Sequence, residues 1–79
     1  MTMHPATEKR VGENLRALRL RAGLTQEALA AQMQVQGCDI TRSAIAKIEV
    51  GQRHVYADEV ILLRRILKTT YDDIFRIDG

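Results

Sequence analysis

The chain has 79 residues, 46% of them hydrophobic and 28% charged, with a formal net charge of +2. At that size it makes one small domain burying only about 60% of its unfolded surface, and no apolar run nears the roughly 20 residues of a membrane span. The opening MTMHPATEKR lacks the apolar core of a secretion signal and the lone Cys38 cannot close an internal disulfide, so a cytoplasmic protein is expected.

No segment alternates apolar and polar residues long enough to read as a strand. Residues 1–7 read as a flexible tail, residues 8–76 as one helical domain and residues 77–79 as a short C-terminal tail. The first helix is expected from Glu8 to Ala22, with Val11, Leu15, Leu18 and Ala22 on one stripe and Gly23 as its stop. The second opens on Thr25 as N-cap, with Leu24 stapled to Leu29, and is expected to reach Gln36. The third repeats that grammar: Thr41 caps it, Ile40 staples to Ile45, and Gly51 stops it. The fourth spans Ala57 to Lys68, where Val60, Leu63 and Leu67 form a stripe that Ile61 and Ile66 widen. A short fifth helix follows in TYDDIF, where Thr70 and Asp73 can form a capping box. The expected fold class is therefore all-α, a compact five-helix bundle.

Charge is unevenly spread along these elements. The first 25 residues carry Lys9, Arg10, Arg16, Arg19 and Arg21 against Glu8 and Glu13, and residues 42–54 carry Arg42, Lys47 and Arg53 against Glu49. The C-terminal third is slightly acidic. This asymmetry suggests one positive face and a polyanionic partner. Ordinary solvated helix faces account for the same charges.

LRALRLRAGLTQEALA, then RSAIAKIEVGQR, then YDDIF closely resemble the helix-turn-helix domain of phage repressors, Cro and their XRE-type bacterial relatives. The resemblance covers about residues 9–75. It implies a lambda-repressor-like fold whose second and third helices are the reading pair, the third lying in the major groove of double-stranded DNA. On that third helix Arg42, Ser43, Ala46 and Lys47 share the arc opposite Ile45 and Ile48. Arginine and lysine suit guanine O6 and N7, serine several partners, and alanine the thymine methyl. The resemblance makes these four the base contacts. It assigns backbone contacts to Thr25 and Gln26 at the start of the second helix, to Thr41, and to Gln52 and Arg53 after Gly51. It also pairs Arg19 with Glu49 as a bridge between the first and third helices. Relatives act as dimers on two half-sites about 34–36 Å apart. A pseudo-palindromic operator and a homodimer through the apolar C-terminal end, Ile74, Phe75 and Ile77 with Tyr71, are therefore expected of a small transcriptional regulator of bacterial or phage type.

Two departures stand out. Arg64 occupies a place where relatives usually carry a small alanine. The join between the paired helices is also about five residues longer than the usual short turn. QVQ reads as almost one extra turn stopped at Gly37, with CDI leading to the Thr41 cap. A turn takes about 3.6 residues, so such an extension keeps the helix face in register and spares groove entry.

Enzymatic chemistry finds little support. His4, His54 and Cys38 match no metal-ligand or nucleophile spacing, no glycine loop is built for phosphates, and no motif asks for a cofactor or metal. Acidic Asp39 beside Cys38 argues against a reactive thiol. The rival reading is a helix-turn-helix interaction module, antitoxin-like or an adaptor subunit. Such a module should present apolar or acidic residues where Arg42 and Lys47 stand.

Overall fold

Three threonines open three of the helices. In the computed structural model, which describes residues 5–76, the Thr25 hydroxyl accepts from the Ala28 amide at 3.0 Å, Thr41 from Ala44 at 3.1 Å and Thr70 from Asp73 at 3.1 Å. Each satisfies one of the amides that a helix start leaves without an internal partner. The helices so opened are α2 (Gln26–Val35), α3 (Arg42–Glu49) and α5 (Tyr71–Ile74). With α1 (Pro5–Arg21) and α4 (Ala57–Ile66) they make an all-α bundle of five helices, and no strand occurs among the described residues. Residues 5–7 belong to α1 rather than to the expected tail. The remainder of that tail, and the C-terminal tail at 77–79, lie outside the described residues.

The helix ends share one device. α1, α2, α3 and α4 each close with a pair of Schellman bonds, the outer ones running from Leu24 to Arg19, Cys38 to Met33, Gln52 to Lys47 and Thr69 to Arg64. The left-handed residue in the first three is Gly23, Gly37 or Gly51; in the fourth it is Lys68, at φ 53°. The fourth helix consequently stops at Ile66, short of the expected Lys68. α2 runs to Val35 with Gln36 as its cap, so most of the extra turn forms. Gln34 then ties the loop back by donating to the Ile40 carbonyl at 2.8 Å. At α5 the expected capping box forms only from the Thr70 side, because the Asp73 carboxylate accepts from Arg76 at 2.9 Å.

Val11, Leu15 and Leu18 of α1 meet Leu29, Ala30 and Met33 of α2 and Ile45 and Ile48 of α3 in the core. Val60 and Leu63 of α4, Ile74 of α5, and Ile40, Val55 and Leu67 close it. Burial of each valine, leucine, isoleucine or methionine side chain among them stabilises the fold by about 1.5–3 kcal/mol. Two expected stripes are narrower than their periodicity implied. Ala22 sits in the exposed cap of α1, and Ile61 is 41% exposed because α4 turns only one face to α2 and the core. Ile66 is half-buried at the margin.

α1 and α3 cross at backbone contact. A Cβ on Gly12 would overlap the Ile48 carbonyl oxygen, and one on Gly51 would stand 2.9 Å from the Cα of Lys9. Only glycine admits this approach, and at Gly51 the φ of 77° demands it independently. Arg64 is accommodated by stacking: its guanidinium lies 5.1 Å from the Tyr71 ring centroid, while its buried Nε meets no acceptor among the described residues.

Candidate nucleic-acid interface

The face of α3 that turns away from the core is polar. Ile45 and Ile48 are each 3% exposed, whereas Arg42, Ser43 and Lys47 are exposed and Ala46 is half-buried. Among the described residues neither Arg42 nor Lys47 meets a carboxylate. Two cations, a hydroxyl and a methyl therefore stand together on one helix, free to receive a partner.

Behind this face α3 is fixed by a buried cluster. Arg19 Nε donates to Glu49 Oε2 at 2.7 Å and Arg19 Nη2 to Oε1 at 3.0 Å, a bidentate fork between side chains 8% and 2% exposed. The remaining Nη1 donates to the Leu24 carbonyl at 2.8 Å. Gln26 Nε2 adds a third bond to Glu49, on Oε1 at 3.1 Å. Hydrogen bonding to Glu49 holds the Arg19 pKa above its ordinary value, outweighing the opposite effect of burial. One carboxylate thereby joins the end of α1, the start of α2 and the end of α3.

The loop after α3 is organised by a second fork. Arg53 Nη1 and Nη2 donate to Glu59 Oε1 and Oε2, both at 3.0 Å, and Nη1 also donates to the His54 carbonyl at 2.9 Å. Tyr56 lies beneath the guanidinium at 5.5 Å, and its amide donates to Glu59 Oε1 at 3.0 Å. Burial alone would raise the Glu59 carboxyl, but the bonds from Arg53 and the Tyr56 amide reverse that and hold it below the ordinary value. Beyond this, His54 Nδ1 lies 2.6 Å from Glu8 Oε1, linking the loop to α1.

The candidate backbone contacts thus divide. Thr25, Thr41 and Gln52 are exposed, and the two threonine hydroxyls accept from amides while keeping their own hydrogens to donate. Gln26 and Arg53 instead direct their donors inward, to Glu49 and Glu59. The Gln26–Glu49 bond escaped the sequence reading, as did the Arg53–Glu59 fork. Glu59 stands at the third position of α4, where a glutamate commonly reaches back to the cap amide, and that was the available signal.

Other expected features fall elsewhere. Ile74, expected on a dimer surface, is fully buried, with Asn14 Nδ2 donating to its carbonyl at 2.9 Å. Tyr71 and Phe75 are 43% and 39% exposed, and Ile77 lies outside the described residues. Cys38 is half-buried against the core, and burial, reinforced by Glu59 and Asp58, pushes its thiol pKa up, away from a reactive thiolate. Among the described residues no cluster of three or more His, Cys, Asp or Glu could hold a metal, and no helix is long and apolar enough to cross a membrane.

No curated protein matches the chain in sequence. A family model described as a helix-turn-helix domain matches residues 10–74, which takes in all but the first turns of α1 and ends with α5. With α2 and α3 locked as a pair and α3 turned outward, the chain belongs to the helix-turn-helix domain family.

Proposed function

We infer that the chain binds double-stranded DNA, with α3 in the major groove, as a small cytoplasmic transcriptional regulator. The observation that carries this reading is the outward arc of α3, where Arg42 and Lys47 stand exposed and, among the described residues, meet no carboxylate. Unpaired cations on a rigid helix approach guanine edges without first breaking a bond. Ser43 and Ala46 supply an adaptable hydrogen-bonding group and a methyl contact beside them. Thr25 and Thr41 meet phosphates at two helix starts, where free amides and the positive dipole end favour anions. Gln52 adds a contact beyond Gly51. Gln26 and Arg53 hold the frame through Glu49 and Glu59 rather than touching the duplex.

A pseudo-palindromic operator bound by a homodimer fits this reading, with Tyr71 and Phe75 as the exposed apolar residues near the C-terminal end. Selection of binding sites from random duplexes tests it directly. An enriched motif whose affinity falls steeply with salt is expected. Recovery of no motif, together with no salt-dependent binding to any duplex, would overturn it.

A further inference from the structure

We propose that the groove between the C-terminal halves of α2 and α4 docks an acidic amphipathic helix from a partner protein. Three observations meet there. The first is the extra turn of α2, which DNA reading does not require. It carries Val35, 83% exposed, and this side chain with Ala31 and Ile66 walls a hollow of 310 Å³. Ala31 and Val35 are one turn apart, so they offer a partner helix an apolar stripe at helical spacing.

The second observation is charge. Adjoining hollows of 450 and 260 Å³ share Gln32 and Ile66 with the first and extend the groove to Arg21, Arg65 and Lys68. Among the described residues these three cations meet no carboxylate. An apolar floor with an all-positive rim complements a helix that is apolar along one stripe and acidic beside it.

The third observation is strain. Lys68 holds the left-handed end of α4 at φ 53°, where α1, α2 and α3 each use glycine. A lysine in that conformation lowers stability, and it lines both of the basic hollows. Its ammonium offers what glycine lacks: a positive charge at the mouth of the groove.

The proposal does not depend on DNA binding and is tested separately. The probe is a synthetic 16-residue helical peptide with leucines one turn apart and flanking glutamates, compared with a scrambled peptide of the same composition. The ordered peptide is expected to shift the amide resonances of Ala31, Val35 and Ile66. V35D should weaken it roughly tenfold or more, as expected for removing a buried valine contact. K68G should weaken it about threefold, the scale of one rim charge, while raising the melting temperature. That opposite movement of binding and stability separates a docking role from a structural one.

No binding, equal binding of the scrambled peptide, shifts centred on Arg42 to Lys47, or indifference to V35D would each overturn the proposal. Concentration-dependent self-association abolished by V35D would also overturn it, in favour of a second copy of the chain.

Discussion

Glu49 is a carboxylate that the fold has desolvated and then satisfied. Two bonds from Arg19 and one from Gln26 replace its water, and both partners come from other helices. Removing Arg19 alone leaves the charge buried and unpaired, so Arg19→Ala should cost about 3–5 kcal/mol in urea denaturation. Replacing both residues by methionine should cost markedly less than the two single losses together, because no uncompensated charge remains. Additive single and double mutants would remove the fork as a device for aiming α3. Glu59 gives a second residue-scale expectation. Its folded carboxyl lies below its ordinary value, so as pH falls the unfolded chain takes up the proton first. The stability it contributes is present above about pH 4.5 and is lost as pH falls through the lower folded value. Glu59→Gln should therefore be less stable than the wild type near pH 7, with the gap closing as pH falls below about 4.5. A gap independent of pH would mean that the fork contributes through shape alone.

Among the elements, starts and stops were legible because their chemistry is local. A threonine two or three residues ahead of the amide it caps, and a glycine that alone turns left-handed cheaply, need no tertiary context. The bounds of α2 and α3 and the extra turn of α2 followed from these signs. Where the stop was a lysine no such sign existed, and α4 ended earlier than its apolar pattern implied. Periodicity also overstated the core, since Ala22 and Ile61 fall on the right angle of their helices but beyond the partner surface. The forks at Glu49 and Glu59 differ in the same way: the first is recognisable as a family spacing, the second depends on a loop path. These endings make a graded test by thermal melts. Lys68→Gly should stabilise by about 1 kcal/mol, removing a left-handed Cβ. Gly37→Ala should cost about the same, because its Cβ would meet nothing. Gly51→Ala should cost clearly more, adding a clash with the Lys9 backbone to the same φ penalty. Equal losses at Gly37 and Gly51 would show that α1 does not close on the end of α3.

On the scale of the whole molecule, charge decides which surfaces can meet a polyanion. Arg19 and Arg53 count in the formal charge but are each held by a glutamate, and so have little left to exchange for DNA counterions. Arg42 and Lys47 keep theirs. Arg42→Ala and Lys47→Ala should each relax preference at particular base pairs, at a cost of about 1–3 kcal/mol on the selected site and little on a scrambled duplex. Arg53→Ala should behave differently from either. It strips a partner from the buried Glu59 carboxylate and loosens the loop after Gly51, so it should lower stability and weaken both duplexes together. Measured well below the melting temperature of the variant, its dependence of affinity on salt should remain that of the wild type, because no phosphate contact has been lost. Titrations across a salt series on both duplexes read all three variants in one experiment. A salt slope reduced by about 0.9 in Arg53→Ala, the value for one phosphate, would mean that its guanidinium leaves Glu59 for the DNA backbone when the duplex arrives.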